Sequence, residues 1–290
     1  MIQEIRQIAA QLTGAYPQEE AEALAWWIME ESTGLTRSQI LTGCKGTTNF
    51  SNLQEIIERI LHFEPIQYVF GHCLWCGLDL KVTPATLIPR PETAELVERI
   101  QNTEYRTQTN NASLRVLDIG TGSGCIAIAL KKAHPEWEVT GIDFSTEAVN
   151  VAKENATRNG ADVHFQVADI FSDDQWIRSS DSIEKINHPS FDLIVSNPPY
   201  ICEREKADMR PNVLEYEPHT ALFVPDNDPL KFYRRIAELF SQQSVLLFFE
   251  INEAYPQELK ALLETLDYTN IEITRDIYGK ARIIQARSAR

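Results

Sequence analysis

The 290-residue chain carries 42 acidic side chains against 27 basic ones, a formal net charge of −15, and 43% of its residues are hydrophobic. That excess has the wrong sign for a protein that grips a phosphate backbone, which relies on Lys and Arg to neutralise several phosphates; it suits a basic protein partner, a small molecule or plain solubility. No apolar run approaches the roughly 20 residues that a membrane span requires, and five scattered cysteines fit a reducing compartment better than a disulfide framework.

Glu4 precedes any apolar stretch and no secretory h-region follows it, so the expected location is cytoplasmic. The first seventy residues read as helices alone. Apolar residues recur at three- and four-residue spacing over 2–12, 18–30, 38–41 and 52–63, with Thr36 and Ser51 placed as N-caps. This segment holds nine acidic and four basic side chains, which argues against a nucleic-acid arm. Residues 71–91 change texture: Leu78, Leu80 and Val82 alternate onto one face before Pro84, the pattern of a β-hairpin joining two domains. Residues 92–100 read as a helix, and 102–113 as a polar connector.

From Leu114 the pattern becomes regularly β then α, with strands expected at 115–119, 138–142, 163–167, 191–196 and 244–251. Such alternation implies a parallel sheet covered by helices on both faces. The runs 270–274 and 282–285, on either side of Tyr278-Gly279-Lys280, predict a terminal antiparallel hairpin, and 172–190 a polar surface insertion. The expected division is a helical bundle over 1–70, a hairpin linker over 71–91 and an α/β domain over 92–290.

Asp118-Ile119-Gly120-Thr121-Gly122-Ser123-Gly124 follows the first of these strands and opens a helix. Its glycines let the backbone turn sharply and approach a ligand closely. A dinucleotide fingerprint would need Gly in the position held by Cys125. The carboxylate stands before the loop, where it would repel a pyrophosphate and could receive an ammonium group. That favours S-adenosylmethionine, with a nicotinamide dinucleotide or a purely structural turn as alternatives. Asp143 ends the next strand, about twenty residues on, where an acidic residue accepts from ribose hydroxyls; the alternative is a helix N-cap, a role for which Ser145 competes. Asp169 could accept from an adenine amino group while Ile170 or Phe171 packs on the ring, or could be an ordinary cap. Cys73-x-x-Cys76 has no second pair of ligands at metal-binding spacing, so no metal is expected.

Asn197-Pro198-Pro199-Tyr200 stands behind the apolar run that ends at Ser196. Neither proline has an N–H, and both fix φ near −65°, so the strand must stop in a stiff turn. The turn offers an Asn amide, bare carbonyls and an aromatic face, which suit a planar nitrogen. Asn197, Pro198, Pro199 and Tyr200 are therefore the expected substrate-binding residues, with Asn197, Pro198 and Tyr200 as the catalytic group. Asn197 also borders the cofactor, which the glycine loop (Asp118, Gly120, Thr121, Gly122, Ser123, Gly124), Asp143, Asp169 and Ile170 would hold.

Together these residues resemble class I methyltransferases that act on planar nitrogen. Pro65-Ile66-Gln67-Tyr68-Val69-Phe70-Gly71, Leu87-Ile88-Pro89-Arg90-Pro91-Glu92-Thr93, Tyr216-Glu217-Pro218 with Ala221-Leu222, and Asp276-x-x-Gly279-x-x-Arg282 are similar to stretches of the PrmC/HemK family. The resemblance implies an N-terminal all-helical domain for substrate recognition, a β-hairpin linker and a Rossmann-like α/β domain with a mostly parallel seven-stranded sheet. It implies methyl transfer from S-adenosylmethionine, leaving S-adenosylhomocysteine, to the glutamine side-chain amide in the Gly-Gly-Gln loop of class I peptide chain release factors. A monomer without direct nucleic-acid or membrane contact is expected. The alternative activity is methylation of an exocyclic amine on a DNA or RNA base, and a non-catalytic cofactor-binding module is a third reading. Ala94, Asn252 and the stretch 223–229 depart from the family pattern.

Overall fold

The computed structural model describes residues 1–44, 46, 52–103, 113–172, 191–276 and 278–288. The chain divides into two compact units, Met1–Gly71 with Arg210–Tyr216, and His72–Met209 with Glu217–Arg290.

The first unit contains α1 (Ile2–Leu12), α2 (Gln18–Thr33), α3 (Arg37–Leu41), α4 (Leu53–Leu61) and α5 (Ile66–Phe70). Leu12, Ala21, Ala25, Ile28, Met29 and Ile60 are fully buried in its core, the positions that helical spacing selects. α2 runs past the expected end at 30 and stops where Gly34 takes the left-handed conformation. Thr36 caps α3 in a reciprocal capping box with Gln39. Ser51, the other expected cap, lies outside the described residues. The segment Arg210–Tyr216, with the one-turn helix α9 (Pro211–Leu214), joins this unit although it is distant in sequence. Arg210 holds both oxygens of Glu20 at 2.7 and 2.8 Å, and the Tyr216 hydroxyl donates to the His62 carbonyl at 2.7 Å.

The second unit opens with the hairpin β1 (His72–Trp75) and β2 (Leu78–Lys81). The expected linker over 71–91 thus falls in this unit from His72 onward. Cys73, Trp75, Leu78, Leu80 and Val82 turn inward. β2 is held by side-chain amides of α8 (Thr146–Asn159). The amide of Asn155 pairs with both the N–H and the C=O of Lys81, at 2.6 and 2.9 Å. That of Asn159 does the same for Asp79, at 3.2 and 2.9 Å.

The main sheet has seven strands in the order β10-β11-β9-β6-β3-β4-β5. β3 (Arg115–Ile119), β4 (Glu138–Asp143), β5 (His164–Val167), β6 (Leu193–Ser196) and β9 (Leu246–Glu250) are mutually parallel. β10 (Tyr268–Arg275) and β11 (Ala281–Ser288) form the antiparallel terminal hairpin, which adds to β9. Ile194, Leu247, Phe249 and Ile284 pack against Tyr233, Ile236 and Phe240 of α10 (Lys231–Phe240) and Leu259 and Leu263 of α11 (Pro256–Thr265). α6 (Pro91–Gln101) and α7 (Cys125–Ala133) complete the framework around the site. β6 starts two residues later than expected, because Asp192 uses its carboxylate and N–H on the backbone of Arg115. The short strands β7 (Ile201–Cys202) and β8 (Phe223–Val224) pair in parallel beyond the sheet. Most of the connector 102–113 and of the insertion 172–190 lies outside the described residues. Among those residues, no helix is long and apolar enough to cross a membrane.

Candidate active site

β3 and β6 are neighbours with Ile119 opposite Ser196, so Gly120 and Asn197 leave the sheet side by side. Ser196 also pairs with Phe249, which brings Glu250 alongside Asn197 from the other flank. The chain moves outward from β3 to β4 and β5, then crosses to the opposite side of β3 for β6. That reversal is the topological switch point at which open α/β sheets take ligands. A cavity of about 540 Å³ opens there. It is lined by Gly120, Thr121, Gly122 and Ser123, by Asp143, Phe144, Asp169, Ile170 and Phe171, and by Asn197, Pro198 and Pro199.

The glycine loop is held by its own backbone. Gly120 has φ +71°, and a Cβ there would meet nothing within 4 Å; the left-handed backbone, not crowding, calls for glycine. The N–H groups of Gly120 and Thr121 both donate to the Ile142 carbonyl at 2.9 Å, and that of Gly124 to Thr121 at 2.8 Å. Gly122 donates to Asp143 Oδ2 at 2.9 Å. These four amides are occupied by the protein's own oxygens, whereas a pyrophosphate-binding loop turns its amides to the ligand. Ser123 lines the cavity, and its buried hydroxyl has no hydrogen-bond partner. An orphaned hydroxyl and the open space beside Gly120 fit a polar ligand lying along the loop.

Asp118 and Gly124 stand outside the cavity wall. Asp118 is completely buried, and its Oδ2 accepts from the Thr121 hydroxyl at 2.6 Å. Burial pushes its carboxyl up to about 7, against the pull of that hydrogen bond. Oδ2 thus braces Thr121, while Oδ1 is buried without a hydrogen-bond partner. Gly124 begins α7, where a Cβ would press on Phe165, Ala152 and Ile128 at 3.0–3.1 Å, so its role is packing.

Asp143 receives N–H bonds from Gly122 on Oδ2 and from Ser145 on Oδ1, the latter at 3.0 Å. Burial raises its pKa and these bonds oppose the rise. The cap of α8 is Ser145, whose hydroxyl accepts from Ala148 N at 3.1 Å, so Asp143 is no helix cap. Asp169 lies exposed on the cavity rim with Oδ1 accepting from Phe171 N at 2.9 Å. Ile170 is buried beneath it. Phe144 and Phe171 are 56% and 41% exposed and both face the cavity. Phe144 escaped the sequence reading; its signal is an aromatic residue directly after an acidic strand end.

The proline turn is braced by side chains. Asn197 Nδ2 donates to Thr93 Oγ1 at 3.1 Å, and Thr93 Oγ1 donates to Glu250 Oε2 at 2.7 Å. Tyr200 points its hydroxyl at Glu250 Oε1, 3.2 Å away, and does not line the cavity. The part-buried phenol finds its hydrogen-bond partner behind the turn. Glu250 is 2% exposed; burial raises its pKa, while Thr93, Tyr200 and Arg282 favour the ionised form. Asn252 donates from Nδ2 to the Tyr200 carbonyl at 2.9 Å, so this departure from the family pattern supports the turn. In the other departing stretch, Asp226 accepts from Arg204 N at 3.0 Å and Asp228 pairs with Arg234 at 2.9 Å. Arg90 pairs with Glu217 at 2.6 Å, and Ile88 N donates to the same carboxylate at 3.2 Å, fixing the cavity wall at Pro89 and Pro218. Thr93, Glu250 and Glu217 were not singled out as site residues in the sequence. Cys73 is buried and Cys76 exposed, and no group of metal-holding side chains occurs among the described residues.

A parallel sheet with a glycine loop and an Asn-Pro-Pro-Tyr turn at adjacent strand ends defines a class I methyltransferase domain. Residues 110–282 match the family model of a methyltransferase domain, and residues 3–71 match that of a PrmC N-terminal domain. The release factor glutamine methyltransferase of Bacteroides thetaiotaomicron is 43% identical over 96% of this chain and 97% of its own length. That of Flavobacterium psychrophilum is 40% identical over 96% of each. The chain belongs to the release factor glutamine methyltransferase family. The METTL16 methyltransferase domain shares the fold, with a TM-score of 0.52 at 16% identity over 97% of this chain and 91% of that one.

Proposed function

We propose that this chain transfers a methyl group from S-adenosylmethionine to the side-chain amide nitrogen of the glutamine in the Gly-Gly-Gln loop of class I peptide chain release factors. It acts in the cytoplasm as a monomer. The observation that carries this reading is the placement of Asn197, which lines the cavity beside the glycine loop while its Nδ2 is bonded to Thr93 Oγ1.

When bound, S-adenosylmethionine supplies an electrophilic methyl on a cationic sulfur. The glycine loop and Ser123 hold its amino-acid end, Asp143 accepts from its ribose hydroxyls, and Asp169 accepts from the adenine amino group. Ile170, Phe144 and Phe171 pack on the adenine ring. The cavity brings these side chains into one wall.

A carboxamide nitrogen is a poor nucleophile, since its lone pair is delocalised into the carbonyl. Asn197 Oδ1 and the Pro198 carbonyl accept its two N–H groups, which aims the nitrogen and favours the positive charge that develops on it. The two prolines keep these acceptors fixed, so little reorganisation accompanies the charge.

The test is incubation of the full chain with methyl-labelled S-adenosylmethionine and either a release factor or nucleic acid. Label on the glutamine of the Gly-Gly-Gln loop is expected. Label on nucleic acid alone, or none at all, overturns the proposal.

A further inference from the structure

The functional reading needs Asn197 to meet its substrate with an oxygen, yet an asparagine amide has two ends of nearly equal shape and opposite hydrogen-bonding sense. Turned over, the same side chain would point N–H at N–H. Something outside the turn has to choose.

The choice can be read from one hydroxyl. Thr93 Oγ1 carries a single proton, and Glu250 Oε2 takes it at 2.7 Å. Toward Asn197 the hydroxyl can then only accept, so the amide atom 3.1 Å from it has to be Nδ2. Glu250 is a dependable terminus for this chain of bonds. It sits at the end of β9 and is nearly sealed from water. It accepts a second hydroxyl from Tyr200 on its other oxygen. We propose that Thr93, backed by Glu250, is a positioning residue that orients the Asn197 amide with its oxygen toward the substrate. This inference rests on the functional reading above.

The experiment uses the full chain with Thr93→Val, which keeps the side chain's shape and deletes the hydroxyl, with Thr93→Ala as a second variant should the valine protein be unstable. Thr93→Ser restores the hydroxyl. With a release factor as substrate, Thr93→Val should lower kcat about tenfold to a hundredfold, the size of a lost buried hydrogen bond. KM and cofactor affinity should stay within about twofold. The serine variant should recover most of the rate, and in an Asn197→Ala background Thr93→Val should cost nothing further. A second readout is independent of catalysis: hydrogen exchange of the Asn197 side-chain amide protons by NMR, assigned with Asn197→Ala. Exchange should be slow in the wild type and accelerated in Thr93→Val. Wild-type kcat and unchanged exchange in Thr93→Val overturn the inference, as does a serine variant no better than valine. Failure of the wild type to methylate a release factor sinks the functional reading, and the exchange measurement still decides the orientation.

Discussion

The glycine loop and the proline turn sit at adjacent strand ends and are made rigid in opposite ways. The loop uses its own main chain: four successive or near-successive N–H groups find Ile142, Asp143 and Thr121 close by. The turn takes its stiffness from two prolines and its orientation from side chains far away, Thr93 at 104 residues and Asn252 at 52. The difference teaches a division of labour. On the proposed function, the loop fixes where a ligand lies and the turn fixes which atom faces it. Changes to remote side chains should therefore disturb the turn and leave the loop standing.

The largest expected effect lies beneath the loop. Burial raises the Asp118 carboxyl from 3.8 to about 7. A carboxyl with a raised folded-state pKa stabilises most below its unfolded value and loses that contribution as pH climbs through the folded one. The wild type should thus lose, relative to Asp118→Asn, on the order of 4 kcal/mol of unfolding free energy between pH 4 and pH 8. Denaturant unfolding of both proteins across this range measures it, and parallel curves would refute the buried charge. Next comes the turn: Asn197→Ala should cut turnover on the order of 10²–10³ while cofactor affinity holds. Single-turnover rates and calorimetry separate the two quantities, and unaltered turnover would break the comparison outright. The smallest effect returns to the loop. Asp143→Ala should weaken cofactor binding by roughly 1.5–3 kcal/mol, with kcat at saturation little moved. Unchanged affinity by calorimetry would remove the ribose role from Asp143.

The same contrast governs what could be read from the amino-acid order. α1 and β3 match their expected bounds, since an apolar stripe at helical spacing and a short buried run are local signals. Gly120, Asp143 and Asn197 were legible because glycine, acid and proline carry their meaning within a few residues. Thr93 and Glu250 were not, because a threonine on α6 and a glutamate on β9 gain their role only when the sheet sets them on either side of Asn197. The partner of the Tyr200 hydroxyl, a carboxylate 50 residues away, is hidden for the same reason. Nor does any local pattern reveal that Arg210 belongs with Glu20, 190 residues earlier.

The clasp between β2 and α8 has a consequence for how this protein behaves in a crowd. A two-stranded hairpin is marginal by itself and presents an unpaired edge on which another chain can build a strand. Here the amides of Asn155 and Asn159 imitate a third strand, each pairing with one main-chain N–H and one C=O of the edge. Asn155 spans further, donating to the Ser123 carbonyl in the glycine loop at 2.9 Å. The device that shields the edge from self-association is therefore tied to the glycine loop, and a sequence that lost one would imperil the other.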